Sequence, residues 1–280
     1  MTFAEQALVF DCRGEELVGI LAAPAGRPCS AGVLVIVGGP QYRVGSHRQF
    51  VLLSRGLAGR GIPCMRFDHR GIGDATGAER RFDGLEDDIR RAIDTFCEHL
   101  PGLQRVVLWG LCDGASAACL YAPTDRRVAG LVLLNPWVRT DAGAAKTLLK
   151  HYYLERVRDA RFWSKLLRGD IAIRRAIAEM LTTVRSTRPQ SAVDAAVSQD
   201  LPARMAERLQ AAALPLLLIL SERDYVAQEF RDASRASDAW SRILLRSDVR
   251  NLQGADHTFS RTEWRDAVTQ ATAGWVAALE

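Results

Sequence analysis

A thiol, a carboxylate and an imidazole stand where polar loops follow apolar runs, and together they could form and break an acyl bond. Cys112 lies in Gly110-Leu-Cys-Asp-Gly114, between the apolar run Arg105–Trp109 and the alanine-rich stretch Ala115–Tyr121. Glycines two residues to either side leave room for a sharp strand-to-helix turn with a small residue at its apex. That apex stands at the N-terminus of the following helix, where unpaired N–H groups and the helix dipole favour negative charge. A thiol placed there is biased toward the thiolate, its nucleophilic form. Cys64, Cys97 and Cys119 lie in ordinary apolar surroundings and read as small core fillers.

A nucleophile needs a base and the base needs an orienting acid. Among the five histidines, His257 lies in Gly254-Ala-Asp-His-Thr-Phe259, after the last strand-like run and before the C-terminal helix. His47 and His69 fall in loops at the same edge of the expected sheet, so either can line a pocket; His99 reads as a helix end and His151 as part of an inserted segment. For the acid, Leu216-Leu-Leu-Ile-Leu-Ser-Glu-Arg-Asp-Tyr225 is a buried strand running into a polar turn with Asp224 at its tip. Glu222 is the rival, and an ion pair with Arg223 is the structural alternative. The chain order is nucleophile, acid, histidine.

The frame that positions these groups alternates short apolar runs with amphipathic ones. Ala7–Cys12 and Leu17–Ala23 read as an N-terminal hairpin. Strands follow at Val33–Val37, Ile62–Phe67, Arg105–Trp109, Val128–Leu134, Leu214–Leu220 and Val249–Leu252. Between them the helical spacing recurs at Phe50–Leu57, Leu85–Leu100, Ala115–Tyr121, Val226–Ala236 and Ser260–Leu279. Strands that are apolar throughout, each followed by a helix, predict an α/β architecture with a mostly parallel sheet covered on both faces. From Trp137 to about Ala213 no strand-like run occurs, whereas Lys146–Arg156, Arg161–Leu167, Ile171–Thr183 and Pro202–Ala212 read as helical. The expected organisation is a core of residues 1–136 and 214–280 with a helical lid over 137–213.

The motif set as a whole resembles the α/β-hydrolases, whose nucleophile, acid and histidine follow in this order. Arg66-Phe-Asp-His-Arg-Gly-Ile-Gly-Asp74 is similar to a strand-and-turn signature common in them. The combination of Gly38-Gly-Pro-Gln-Tyr-Arg-Val-Gly-Ser-His-Arg-Gln-Phe50, Gly110–Ala115 and Gly254–Phe259 resembles one narrower family, the exosortase A system-associated hydrolases of type 1. The stretch Lys150-His-Tyr-Tyr-Leu154 is similar too, so the likeness runs over nearly the whole chain. It implies a bacterial setting beside exopolysaccharide export and surface-protein sorting, with no substrate attached. The cysteine elbow also resembles that of dienelactone hydrolase, which implies that a Cys-His-Asp triad can operate on this fold.

The resulting expectation is an acyl hydrolase of esterase or thioesterase type. Cys112 attacks, His257 handles the proton, Asp224 orients the imidazole, and the acyl group is held as a thioester before water releases it. One oxyanion donor is the backbone N–H of Asp113. Many α/β-hydrolases have His-Gly-x after the first parallel strand, where x supplies the second donor; here x is Pro40, which has no N–H. Gln41 is the expected substitute and Gly39 its rival. His47, Tyr152 and Tyr153 are expected to touch the substrate. An acyltransferase using the same intermediate is one alternative, and a non-catalytic ligand binder on the same fold is another.

The bulk properties fit this reading. The chain has 280 residues, 48% hydrophobic and 25% charged, with a net charge of +4. The arginine pairs, such as Arg80-Arg81 and Arg126-Arg127, are dispersed, which points to solvated surface rather than a nucleic-acid site. The longest apolar run, Ala211–Leu220, is too short to span a bilayer. Without a secretory signal the six cysteines are expected as free thiols in the cytoplasm. The chemistry calls for no metal or cofactor, and the expected partner is a small acyl ester or thioester.

Overall fold

The computed structural model describes residues 2–26, 30–138 and 201–279. Strands β1 (Phe3–Cys12) and β2 (Glu15–Pro24) form an antiparallel hairpin. They are followed by β3 (Ala31–Ile36), α1 (Gln49–Ala58), β4 (Cys64–Asp68), α2 (Glu86–His99), β5 (Arg105–Leu111), α3 (Asp113–Tyr121) and β6 (Val128–Leu134). After the interval come α4 (Leu201–Ala212), β7 (Leu216–Ser221), α5 (Tyr225–Arg235), α6 (Asp238–Leu245), β8 (Asp248–Leu252) and α7 (Thr262–Ala277). The strands make one 8-stranded sheet in the order β1-β2-β4-β3-β5-β6-β7-β8, with β2 antiparallel to β4 and every later pairing parallel. This is the α/β-hydrolase fold.

The parallel strands are buried on both faces, which is why β3 and β6 read as unbroken apolar runs, while β4 carries the buried, ion-paired Arg66 and Asp68. On one face Val33, Val35, Val107, Trp109, Val132 and Ile219 join residues of α1 and α7 in a single core. Trp109 meets Phe50 edge to face, with centroids 5.6 Å apart. Cutting such a buried aromatic back to alanine costs about 3–5 kcal/mol, so this contact anchors the strand that carries Cys112. On the other face Phe96 of α2 closes so tightly on Gly32 that a Cβ there would collide with its ring.

The expected strands and helices of the core occur with ends displaced by up to a few residues. Helix α6 was not foreseen. It begins at Ser237, whose hydroxyl accepts from Trp240 N, and it buries only Trp240 and Ile243. Trp240 lies edge-on to Phe230 at 5.0 Å, so packing rather than periodicity holds this eight-residue helix.

Contacts divide the chain into a unit of Met1–Trp137 with Ala203–Glu280 and a second unit, Val138–Pro202. The helices expected at Lys146–Arg156, Arg161–Leu167 and Ile171–Thr183 lie outside the described residues, as do Tyr152, Tyr153 and His151. The helix expected at Pro202–Ala212 is α4. Among the described residues no helix is long and apolar enough to cross a membrane.

Candidate active site

Cys112 sits between β5 and α3 with φ 59° and ψ −125°, a backbone conformation that costs a non-glycine residue strain. The surroundings enforce it. A Cβ on Gly110 would overlap the backbone of Gly114, and a Cβ on Gly114 would overlap Ile36 O. Cys112 N donates to Leu134 O at 2.9 Å, and Cys112 O accepts from Ala115 N and Trp137 N at 3.1 Å each. The thiol is thereby fixed by β6 as well as by its own helix, and it remains partly exposed in a cavity of about 490 Å³.

His257 is brought to it from the other side. Its Nδ1 lies 2.9 Å from Asp224 Oδ2, and Cys112 stands near enough to the same ring to influence its titration. Burial pulls the imidazole pKa down, but Asp224 and Cys112 more than offset it and push it up to about 10. Asp224 is buried and also caps α5, accepting from Val226 N at 3.1 Å and Ala227 N at 3.2 Å. One carboxylate therefore starts a helix and orients the histidine. The rival acid, Glu222, is exposed and accepts from Gly254 N at 2.6 Å, which ties down the start of the histidine loop.

Asn135 and Ser221 take part in a way the sequence did not reveal. Asn135, fully buried at the end of β6 with φ 42°, donates to Ser221 Oγ at 2.9 Å and to His257 O at 3.2 Å. Its own Oδ1 accepts from Ser221 N at 2.8 Å, while Ser221 Oγ donates to Asp256 O at 2.8 Å. The network pins the backbone of the histidine loop to two strand ends. The available signal was a polar residue closing an otherwise apolar strand, Leu133-Leu134-Asn135-Pro136.

Beside the elbow, two loops are held together. Asp68, wholly buried at the end of β4, accepts from Arg43 N at 2.6 Å and Asp74 N at 3.1 Å. The Arg43 guanidinium bonds Asp68 as well and reaches Asp74 at 2.5 Å. This clamp joins the loop after β3 to the turn after β4. Gly38 lies against the Asp113 carboxylate and Gly114 N so closely that no side chain fits. Asp113 Oδ1 accepts from Gly114 N at 3.1 Å, and among the described residues no acceptor is bonded to Asp113 N.

Gly38, Gly39, Cys112, Asp113 and His69 line the cavity together with apolar groups such as Phe82 and Trp137, whose rings meet edge to face at 5.3 Å. Gln41 is not among the lining residues. Its Oε1 accepts from Ser46 N at 3.2 Å and faces Gln49 Nε2, which turns the carboxamide into its own loop. His47 is exposed, has φ 53°, and lies outside the lining set. Its positive charge when protonated helps hold the Asp256 carboxyl below its ordinary range, after the desolvation that opposes this and the bonds from Ser260 and Thr258. Arg80 and Arg81, read from the sequence as surface, line the cavity.

The other described thiols are also free. Burial pushes the Cys64 thiol up to about 12 and raises Cys12, Cys97 and Cys119 as well. Among the described residues no group of histidines, cysteines and carboxylates is arranged to hold a metal ion.

The sequence profile of the serine aminopeptidase S33 family matches residues 29–242. The chain belongs to that family of α/β-hydrolases. The family takes its name from serine, whereas this hydrolase has cysteine at the elbow. One curated relative is the polyketide transferase grgF of a Penicillium species, 33% identical over 82 residues, which is 28% of this chain and 28% of that protein. The solved structure of that Penicillium hydrolase aligns with a TM-score of 0.62 and 17% identity, covering 99% of this chain and 97% of the other. A thermostable carboxyl esterase of Bacillus coagulans aligns with a TM-score of 0.66 at 15% identity, covering 99% of each chain. An esterase of Pyrococcus furiosus gives 0.64 at 14% identity, covering 98% and 92%. At these identities the structural likeness is one of fold.

Proposed function

We propose that this hydrolase acts on esters or thioesters through a Cys112-His257-Asp224 triad and a covalent acyl-thioester. The observation that carries the reading is the His257 imidazole bonded to buried Asp224 at 2.9 Å, with its pKa raised by Asp224 and by Cys112 at the strained elbow. A raised imidazolium beside a thiol is the resting pair of a thiol enzyme. The Cys112 thiolate attacks the carbonyl carbon. His257 gives its proton to the departing alcohol or thiol, and in the second half it takes a proton from water, which attacks the acyl carbon and releases the acid. The developing oxyanion is held by Asp113 N–H and, in place of the expected Gln41, by Gly39 N–H, since Gly39 lines the cavity.

The inserted segment between β6 and α4, including Tyr152 and Tyr153, completes this proposal as a lid that sets substrate size. A cytoplasmic setting is supported by the unpaired thiols. The motif resemblance to exosortase-associated hydrolases supports a role beside exopolysaccharide export. A second reading, acyl transfer, is favoured by the local match to a polyketide transferase.

Brief treatment with limiting iodoacetamide at neutral pH, followed by peptide mapping, tests the nucleophile. Cys112 is expected to be labelled first and to be protected by an acyl-thioester. Equal labelling of Cys12 or Cys97 would remove the support for a catalytic thiol. A panel of p-nitrophenyl esters and acyl-thioesters tests the acyl-enzyme directly, through a burst followed by steady turnover.

A further inference from the structure

We propose that His69 is a second catalytic base in this site, acting on a hydroxyl-bearing acceptor so that the acyl group on Cys112 passes to an alcohol in competition with water. The inference rests on the acyl-thioester of the preceding section and assigns a role to a histidine that, among the described residues, lines the cavity without belonging to the triad.

His69 follows β4 directly and is 5% exposed. Its Nδ1 lies 3.2 Å from Arg70 O. A carbonyl only accepts, so Nδ1 carries the hydrogen and, in the neutral ring, Nε2 holds the lone pair. The carbonyl that sets this tautomer is itself rigid. Arg70 N donates to Asp88 Oδ1 at 2.9 Å, and the Arg70 guanidinium meets the same wholly buried carboxylate at 2.7–3.2 Å.

Nε2 is free and reachable. Among the described residues it has no hydrogen-bond partner, yet it is absent from the unpartnered polar atoms that are sealed from solvent. His69 lines the same cavity as Cys112, Asp113 and Gly39, so a hydroxyl-bearing molecule held there is within the compartment that both side chains face. A histidine kept only for packing would have both nitrogens satisfied or enclosed.

Charge separates its task from that of His257. Burial lowers the His69 pKa from 6.5 against the raising influence of Arg70 O and the carboxylates of Asp88, Asp113 and Asp68, so the ring is a neutral base at neutral pH. His257 is raised to about 10 and holds a proton at rest. Two imidazoles pushed apart in this way suit opposite jobs, one donating to the leaving group and the other accepting from the incoming one. The cavity, about 490 Å³, is large enough for an acyl group and a small alcohol together.

The step balances as follows. In acylation the His257 proton leaves with the departing group. The alcohol then gives its proton to His69 Nε2, its oxygen bonds to the acyl carbon, and the carbon–sulfur bond breaks to regenerate the thiolate. The proton on His69 passes through solvent to His257, which restores the resting pair.

The test uses a p-nitrophenyl ester with glycerol or 1-butanol as acceptor. It follows the p-nitrophenolate burst by stopped flow, and the ester and acid products by mass spectrometry. Wild type is expected to burst and to form both products. His69→Gln should keep the burst while the ratio of ester to acid falls by about 100-fold, the usual scale of one general base. His69→Asn should behave alike, and His69→Ala should regain transfer on addition of imidazole. An unchanged ratio in His69→Gln and His69→Asn, or a wild type that forms no ester with either alcohol, overturns the inference and leaves the triad standing. Loss of the burst in the His69 variants assigns the residue a structural role and also overturns it. A wild type without a burst defeats the acyl-enzyme itself, and Cys112 labelling then reports that failure separately.

Discussion

The elbow and the histidine loop meet at one imidazole, but they are held in place by different means. At the elbow nearly every constraint is local or comes from the adjacent strands. Gly110 and Gly114 exclude side chains, β3 presses on Gly114, and Leu134 O holds Cys112 N. The histidine loop has no such compact device. Residues from β6, β7 and the turn before α5 reach across to it through Asn135, Ser221, Glu222 and Asp224, over sequence separations of 32 to 122 residues. Cys112 is therefore set by steric exclusion, His257 by a polar network. Steric exclusion fails all at once when volume is added; a polar network fails by degrees as its bonds are removed.

Breaking the elbow's chemistry should have the largest effect. Cys112→Ala is expected to lower turnover by at least about 10⁴-fold with the fold unchanged, as loss of a triad nucleophile does. Steady-state rates on the best ester of the panel, alongside circular dichroism, check this. Cys112→Ser should leave a small remainder at most, and a serine variant near wild-type activity would sink the thiolate argument.

Next comes the acid. Asp224→Asn keeps an N-cap for α5 but loses the charge that helps raise His257, and it should cost about 10²–10⁴-fold in rate. The pH profile sharpens the point. With the folded value near 10 and the ordinary value 6.5, His257 keeps its proton through neutral pH, so acylation should decline only as pH rises through about 10. By linkage, the stability contributed by this pairing is complete below 6.5 and is lost as pH rises through 10. In Asp224→Asn the falling limb should move to lower pH. A limb that stays in place would show that Asp224 does not set it.

The polar network should yield in smaller steps. Ser221→Ala leaves the Asn135 amide and Asp256 O short of a partner, at about 1–3 kcal/mol, and should lower the thermal midpoint together with kcat while KM changes little. Calorimetry with steady-state kinetics would show it; a fall in kcat with no loss of stability would mean that Ser221 has a direct role. Glu222→Gln should matter least, within about threefold, because its bond to Gly254 N is exposed to solvent. A larger effect there than at Asp224 would exchange their roles.

What could be read from the sequence follows the same division. The glycines flanking Cys112 and the apolar runs of β3, β5 and β7 declare their geometry, because steric exclusion and burial are written in the residues concerned. Asp224 and His257 were legible as the polar tips of strands. Asn135 and Ser221 were not, because their role depends on partners 86 and 122 residues away in the chain. The destination of the Gln41 carboxamide was hidden for a similar reason: it is spent on Ser46 and Gln49, which no local pattern announces. Helix α6 escaped because eight residues with two buried side chains carry little periodicity.

The backbone at Cys112 carries a consequence for descent. With φ at 59°, the position asks for a small residue that tolerates strain, and it asks nothing about sulfur or oxygen. Serine meets the same steric demand and lies a single nucleotide change from cysteine. A lineage can thus cross between hydroxyl and thiol chemistry in one step without passing through a misfolded ancestor. The elbow backbone alone does not choose between the two chemistries; under the proposed triad, that choice falls to the groups around His257.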